Sequence, residues 1–261
     1  MLNIIVCVKQ VIDPEALPSS FSIDPATKTA RMRGANPVID PFAEYAVEAA
    51  LRVKESSDAH ITVISLGNDL QRDVVKKPLA MGADELILLE DEAFAGTGSV
   101  MTAAALAAAI RKTGDYGLIL CGREASDTNA GQTGPGIAEI LGLPCVTLAR
   151  KIEINGNTAR IEKVTSAGYD VVEVEMPAVV TVSNEIGEPR YPTIKGIMGA
   201  KRITPEVWKP GDIDAETGQA GSALKDLYQP VFEGSCEFIE GETPEEAGRL
   251  LAGKLREEKI L

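Results

Sequence analysis

Short apolar segments recur along the first 150 residues, and a helix-like segment separates each from the next. Four of them are typical of buried strands, because they are short, rich in β-branched residues and bounded by polar turns: residues 2–8, 60–66, 85–89 and 116–121. Alternation of strand and helix predicts an α/β fold with a doubly wound, mostly parallel sheet. In such a sheet, ligands lie at the carboxyl ends of the strands.

Capping signals place the helices between these strands. Asp40 followed by Pro opens one helix, since Asp caps and Pro suits the first turn. Asp69 opens another that runs toward residue 81, and Pro78 should kink or end it. Residues 99–112 form a third helix, capped by Ser99.

The pattern changes after residue 150. Alternating residues around an Asn-Gly pair predict a hairpin, and we expect residues 150–182 to form an antiparallel block that closes the sheet. Residues 183–203 are rich in Pro and Gly and predict a long binding loop. We place a domain boundary here, between a domain of residues 1–203 and a carboxyl-terminal arm of residues 204–261.

The arm ends in an amphipathic helix over residues 244–258. A small hairpin is also expected within residues 22–34 of the first domain. Two interpretations of the arm are open, since it either docks on a partner subunit or folds back on its own domain.

Composition excludes several classes of function. The net charge of −13 argues against nonspecific nucleic-acid binding. Scattered cysteines without a C-x-x-C pair are typical of a reducing compartment, and Cys7, Cys121 and Cys145 lie in apolar segments that predict burial. The single histidine, His60, leaves no His-based metal cluster. No basic leader and no apolar run of about 18 residues is present, so we expect a cytoplasmic protein without membrane contact.

Residues 119–144 carry the strongest functional signal. An apolar strand ends at Cys121, a loop of small polar residues follows, and a helix-like segment starts near Gln132. The free amides and the dipole of a helix amino terminus suit a phosphate, and glycines let the backbone approach it. The stretch matches neither common phosphate-binding fingerprint, so an ordinary strand-to-helix turn is the alternative.

Three loops follow predicted strands at the same edge of the sheet: residues 9–13, residues 67–69 and the loop after Cys121. They are therefore expected to meet at one ligand. Neither a G-x-S-x-G elbow nor a Cys–His pair is evident, and we assign no catalytic residue. The chain is predicted to bind a nucleotide-like group more than to act as a stand-alone enzyme.

The chain resembles the beta subunit of electron transfer flavoprotein almost from end to end. The resemblance rests on the sequences CVKQVID, DPFAEYAVEAALRVKE, KKPLAMGADELILL, GREASDTNAGQTG and PAVVTVSNEIGEPRYPTIKGIMGAKRI. The last two are the most specific. The resemblance implies a Rossmann-like domain that binds an adenine nucleotide, and an arm that embraces an alpha subunit carrying FAD.

The resemblance also implies the positions of a cofactor site. Its phosphate-binding loop falls on residues 127–134, and its adenine-side wall falls on the ends of the first two long strands and on Asp40. The implied cofactor residues are Cys7, Val8, Lys9, Asp40, Leu66, Gly67, Gly122, Arg123, Asp127, Thr128, Asn129, Ala130, Gly131, Gln132, Thr133 and Gly134.

The family's partner-recognition loop falls on residues 184–202, with Ile194 as its protruding aliphatic anchor. A single buried apolar side chain can supply much of the energy of a transient contact. The alternative is that Ile194 packs inward. The implied partner-binding residues are Glu185, Pro189, Arg190, Tyr191, Ile194 and Met198.

Family members hold either a structural AMP or a second FAD in the beta subunit. This chain has Thr128 and Asn129 where the AMP type has acids, and Gly131 where that type has Asn. Fewer acids reduce the repulsion of a pyrophosphate, and glycine leaves room for it. Pro135 also resembles the electron-bifurcating subgroup, so we favour FAD.

The resemblance therefore implies a subunit that passes electrons between NAD(H), flavins, ferredoxin and a flavin-dependent dehydrogenase acting on an acyl-CoA or on lactate. In the bifurcating form its FAD would oxidise NADH, and in the confurcating form electrons would run in the reverse direction. One alternative is a simple electron carrier whose AMP is structural. Another is a nucleotide-binding module of the same fold without a flavin partner.

Overall fold

The computed structural model describes residues 1–16, 21–24, 26–32, 34, 36–214, 225–228, 234 and 236–261. Its internal contacts divide the chain into two compact units, Met1–Asp226 and Leu227–Leu261. The boundary that the sequence predicts after residue 203 stays a prediction.

The first unit alternates strands and helices along most of its length. Its strands are β1 (Leu2–Val8), β2 (Gln10–Ile12), β3 (Phe21–Asp24), β4 (Thr29–Met32), β5 (Pro37–Ile39), β6 (Ala59–Gly67), β7 (Glu85–Glu90), β8 (Leu118–Gly122), β9 (Cys145–Asn155), β10 (Thr158–Thr165), β11 (Gly168–Glu175), β12 (Ala178–Val182) and β13 (Glu206–Trp208). Its helices are α1 (Pro41–Ser56), α2 (Arg72–Val75), α3 (Lys77–Met81), α4 (Ser99–Thr113), α5 (Thr133–Leu141) and α6 (Ile194–Arg202).

A nine-stranded sheet organises this unit, in the order β11-β10-β9-β12-β8-β1-β6-β7-β13. Strand β1 pairs in parallel with β6 on one side and with β8 on the other, so the chain winds outward in both directions from it. The antiparallel pairs of this sheet are those made by β10 with β9 and β11. The predicted doubly wound, mostly parallel sheet with an added hairpin is therefore confirmed.

The centre of the sheet is buried on both faces. Ile4 and Val6 pack into a cluster with α1, while Ile5 and Cys7 pack into a second cluster with α4 and α5. The alternation of a strand sends successive side chains to opposite faces, so a wholly apolar β1 suits a sheet that helices cover on both sides.

The predicted antiparallel block over residues 150–182 is wrong for β12, which runs parallel to both β8 and β9. Every residue of β12 is buried. An apolar strand of this kind is stable between two other strands and under helices, where its backbone groups and both of its faces are satisfied.

Three local predictions also need correction. The single helix expected from Asp69 to residue 81 is two short helices, and Pro78 lies in the first turn of α3, where its missing N–H costs nothing. Ser99 is the first residue of α4, whose cap is Gly98. The predicted hairpin within residues 22–34 is confirmed as β3 and β4.

The second unit contains helix α7 (Pro244–Glu257), which confirms the amphipathic helix expected there. Thr243 caps it, because its side chain accepts a hydrogen bond from the N–H of Glu246 at 3.2 Å. Leu250 and Leu251 are each 46 % exposed.

We expect Gly122→Ala to destabilise the fold by about 1–3 kcal/mol, because a Cβ at this position would lie 2.7 Å from the carbonyl carbon of Phe42 in the first turn of α1. Urea denaturation of the purified protein measures the change in the free energy of unfolding. Gly211→Ala is the matched control, since a Cβ there meets no atom within 4 Å. Equal stability of the two variants would contradict this packing argument.

Candidate functional site

A cleft of about 500 Å³ opens at the carboxyl ends of β1, β6 and β8. This is the point where the strand order switches sides: β6 and β7 lie on one side of β1, and β8 lies on the other. The amino ends of α4 and α5 and the loop after β7 complete its walls. Both its position and its volume are typical of small-molecule sites in α/β proteins.

The structure brings most of the predicted cofactor residues together on this cleft. Those that line it are Cys7, Val8, Lys9, Asp40, Leu66, Gly67, Gly122, Arg123, Asp127, Thr128, Ala130, Gly131, Gln132, Thr133 and Gly134. Asn129 does not line it; this residue is exposed and takes a positive φ of 47° within the turn.

Sequence reasoning missed the wall that the loop after β7 contributes. Phe94, residues 96–99, Thr102 and Leu106 line the cleft there. The signal was present as Gly-Thr-Gly-Ser, a run of small residues between a parallel strand and a helix. Such a run lets backbone and hydroxyl groups come close to a ligand.

Asp40 fixes the loop that follows β8. Its Oδ1 accepts hydrogen bonds from the N–H groups of Phe42 and Ala43, at 2.9 and 3.3 Å, and so caps α1. Its Oδ2 accepts from the N–H and the hydroxyl of Ser126, at 2.6 and 2.7 Å. Asp40 is only 1 % exposed, so it acts as a structural bridge between α1 and this loop.

An ion pair crosses from β1 to the same loop. Lys9 Nζ lies 2.7 Å from both carboxylate oxygens of Asp127, and both side chains are partly exposed. Asp127 is the only acid within residues 127–134, so the acidic charge of this part of the cleft wall is balanced by Lys9.

The amino end of α5 presents free donors to the cleft. Among the described residues, none accepts a hydrogen bond from the N–H of Thr133 or Gly134, and Pro135 has no N–H. A Cβ at Gly134 would lie 2.6 Å from Thr181 Cγ2, so only glycine lets this end of the helix approach β12 so closely. The arrangement can bind an anion without a dedicated cationic side chain.

Two thiols lie on the cleft, since Cys7 and Cys121 are register partners on β1 and β8 and both are buried. A hydrogen bond with Cys7, together with burial, raises the pKa of Cys121 well above its usual value. The prediction that Cys145 is buried is wrong. It is exposed as the first residue of β9, and burial begins at Val146.

The remaining structural findings concern metals and membranes. The described ranges contain no group of three or more His, Cys, Asp or Glu placed to hold a metal ion. None of the helices in the described part of the chain combines the length and the apolar character needed to cross a bilayer.

The recognition segment expected over residues 184–202 ends in a helix. The prediction of an irregular loop is wrong for residues 194–202, which form α6. Thr193 caps this helix by accepting from the N–H of Gly196 at 3.0 Å. A Cβ at Gly196 would overlap the carbonyl oxygen of Ala80, so the glycine lets α6 lie directly on α3.

Helix α6 and the residues before it expose apolar side chains. Tyr191 is 93 % exposed, Ile194 80 % and Met198 56 %. The alternative in which Ile194 packs inward is therefore wrong. Contiguous exposed apolar side chains of this kind mark interaction surfaces.

A buried carboxylate holds this segment on α1. Glu48 accepts hydrogen bonds from Arg52 Nε at 2.9 Å and from Arg190 Nε at 2.8 Å, and Arg190 also contacts Glu55 at 2.7 Å. Burial alone would raise the pKa of Glu48, but the hydrogen bonds from the two arginines outweigh it and hold that pKa below its ordinary value. Arg190 thus positions the segment, and its predicted contact with a partner stays a prediction.

The other two predicted partner residues lie before α6. Glu185 is exposed, and its carboxylate accepts a hydrogen bond from the hydroxyl of Ser183, which lowers the pKa of Glu185. Pro189 is half-buried next to Arg190.

Comparison with known proteins gives one consistent result. A family model described as the electron transfer flavoprotein domain matches residues 29–213. The chain is 37 % identical to an electron transfer flavoprotein subunit beta of Clostridium acetobutylicum, with both chains covered completely. It is 38 % identical over 234 residues to that of Megasphaera elsdenii, covering 86 % of this chain and 85 % of the relative. It is also 34 % identical, with both chains covered completely, to the caffeyl-CoA reductase-Etf complex subunit CarD of Acetobacterium woodii.

We expect Glu48→Gln to lower the free energy of unfolding at pH 7 by about 1–3 kcal/mol, because two arginines lose their buried counter-charge. The pKa of Glu48 is lowered in the fold, so its stabilising effect is complete above its ordinary value of 4.5 and disappears as the pH falls further. The difference between variant and wild type should therefore narrow below that pH.

Urea denaturation at a series of pH values measures this difference. Glu55→Gln is the control, since Glu55 is mostly exposed and its pair with Arg190 should contribute less than about 1 kcal/mol. The role given to Glu48 would be contradicted if Glu48→Gln lowered the free energy of unfolding equally at every pH. It would also be contradicted if Glu48→Gln and Glu55→Gln lowered that free energy by the same amount.

Proposed function

We propose a function for this chain, which belongs to the electron transfer flavoprotein family as a beta subunit. With an alpha subunit, it binds FAD in the cleft at the ends of β1, β6 and β8 and passes electrons between NAD(H) and a flavin-dependent dehydrogenase. The observation that carries the proposal is the meeting of three strand ends and the amino end of α5 on one cleft.

The donors of the cleft fit a nucleotide. The N–H groups of Thr133 and Gly134 and the hydroxyl of Thr133 would hold a phosphate, with Lys9 beside them. Gly131 has a positive φ of 61° and no side chain, which leaves the backbone open to a pyrophosphate. FAD, when bound, supplies hydride and single-electron transfer; the residues of this chain bind and orient it.

The paired acids of this loop favour FAD over AMP. The pyrophosphate of FAD has one negative charge on each of two phosphates and would extend along more of the loop than the single phosphate of AMP, so unpaired acids along the loop would oppose it. Here Asp127 is paired with Lys9, and Glu124 is paired with Arg123 at 2.9 Å. AMP as a structural cofactor is the second candidate, since the same donors bind one phosphate.

The partner is a flavin-dependent dehydrogenase that acts on an acyl-CoA or on a 2-hydroxy acid such as lactate. The name of the Acetobacterium woodii relative describes a complex of a caffeyl-CoA reductase with an electron transfer flavoprotein, and an analogous assembly is proposed here. In the bifurcating form, electrons from NADH divide between this dehydrogenase and ferredoxin. The exposed apolar side chains of α6 provide the contact with the dehydrogenase.

We also propose a cytoplasmic location, because scattered cysteines without a C-x-x-C pair are typical of a reducing compartment. Of the arm predicted over residues 204–261, residues 206–208 pair with β7 as β13. The part within the second unit, Leu227–Leu261, is proposed to dock on the alpha subunit, where the half-exposed leucines of α7 would be covered.

We expect the purified alpha–beta heterodimer to release two FAD per heterodimer on denaturation, measured by chromatography against FAD and AMP standards. Gly131→Val should lower the yield toward one FAD, since the side chain disfavours the positive φ and narrows the cleft. Gly211→Ala should leave it at two. One FAD and one AMP would replace the bifurcating proposal with the structural-AMP alternative, and no adenine nucleotide beyond one FAD would contradict both.

We expect Ile194→Ala to slow electron delivery to the dehydrogenase by about tenfold or more, because it removes the most exposed aliphatic side chain of α6. Cofactor content and stability should not change, since that side chain makes little contact within the fold. Val171→Ala, on the exposed face of β11, is the control for loss of a surface apolar group. Undiminished delivery by the Ile194 variant would remove this residue as the anchor.

A further inference from the structure

A second depression, of about 400 Å³, lies beside α6 and is separate from the nucleotide cleft. We call it the α6 groove; it is bordered by β5, α2, α3 and α6. Its apolar lining consists mainly of Val38, Ile39, Val74, Pro192, Ile197 and Ala200. Its volume and composition suit one or two aliphatic side chains of another molecule.

The charged residues of the α6 groove are three lysines and one acid: Lys76, Lys77, Lys201 and Asp73. Lys77 contacts the carboxylate of Glu44. Lys76 and Lys201 form no ion pair with any residue that the structure describes. An excess of cations is unexpected in a chain with a net charge of −13, so this groove is locally complementary to an acidic partner.

The groove is continuous with the exposed face of α6. Ile197 lines the groove and is 43 % exposed, while Ile194 and Met198 project from the same helix. The close contact of Gly196 with Ala80 holds α6 on α3, so the spacing between the projecting side chains and the groove is fixed. Lys201 follows Ile194 by seven residues, which is about two turns, so both residues lie on the same side of α6.

We propose that the α6 groove receives an acidic, apolar segment of the dehydrogenase partner. An aliphatic side chain of that segment fills the space beside Ile197, and its carboxylates pair with Lys76 and Lys201. This inference rests on the proposed function, in which α6 faces the dehydrogenase. The apolar contact supplies most of the affinity, while the lysines set the orientation and speed the encounter.

The probe is a fluorescein-labelled amphipathic helical peptide built from Leu and Glu, titrated into the alpha–beta heterodimer and followed by fluorescence anisotropy. We expect it to bind, and its counterpart built from Leu and Lys to bind at least about tenfold more weakly. The double variant Lys76→Glu, Lys201→Glu should weaken binding of the acidic peptide about tenfold or more. Lys151→Glu with Lys163→Glu, on β9 and β10, has the same net charge and should bind it like the wild type.

The rate of electron transfer from the heterodimer to the dehydrogenase is measured next, because it tests whether the α6 groove contributes to docking. The assay uses whichever purified acyl-CoA or 2-hydroxy acid dehydrogenase the wild-type heterodimer reduces fastest. The double variant Lys76→Glu, Lys201→Glu should raise the KM for this dehydrogenase, and that KM should depend less on salt concentration than in the wild type. The acidic peptide should compete with the dehydrogenase for the wild-type heterodimer. The unfolding midpoint and cofactor content of the variant are measured alongside, and Lys76→Gln with Lys201→Gln gives a milder change if the reversal disturbs folding.

Several results would overturn the inference. These are no binding of the acidic peptide, equal binding by both double charge reversals, and peptide binding that leaves electron delivery unaffected. If Ile194→Ala slows delivery while the lysine variant does not, the proposed docking through α6 stands and the groove loses its role. If neither variant changes delivery, the proposed docking function fails as well.

Discussion

Asp40, whose carboxylate is buried, joins three parts of the fold. Its backbone N–H donates to the carbonyl of Lys9 at 2.8 Å, its Oδ1 caps α1, and its Oδ2 holds Ser126 in the loop after β8. A buried carboxylate is costly unless it is fully hydrogen-bonded, so these contacts reinforce one another. They order the end of β1, the start of α1 and the loop after β8.

Helix α1 organises both proposed surfaces. Its amino end carries the contacts of Asp40 to the cleft, and its later turns carry Glu48, Arg52 and Glu55, which hold the segment before α6. The cleft presents amide groups and a helix dipole, so an acidic chain can bind an anion there without a large basic patch. The surface around α6 differs from the cleft, because apolar side chains are exposed there and lysine side chains lie beside them.

The sequence predicted the elements that depend on local pattern. Strands β1, β6 and β8 and the capped helix α1 follow from apolar runs and an Asp-Pro pair, and most of the predicted cofactor positions meet at one cleft. The errors, and the contacts that the sequence did not predict, depend on residues far apart in the chain. The parallel placement of β12 requires two neighbours, α6 is favoured by its contact with Ala80 despite two glycines, and Glu48 meets Arg190 from 142 positions away. The cleft wall near Thr97 was missed because its small residues gain meaning only once β7 is placed beside β6.

We propose that the amide groups at the start of α5 bind the phosphate of an adenine nucleotide. Hydrogen–deuterium exchange of the heterodimer, stripped of its nucleotides and then reloaded with FAD or AMP, tests it directly. We expect slower exchange over residues 131–136 and over the ends of β1 and β6 when the nucleotide is restored. Unchanged exchange in residues 131–136, with protection appearing elsewhere in this chain, would contradict it.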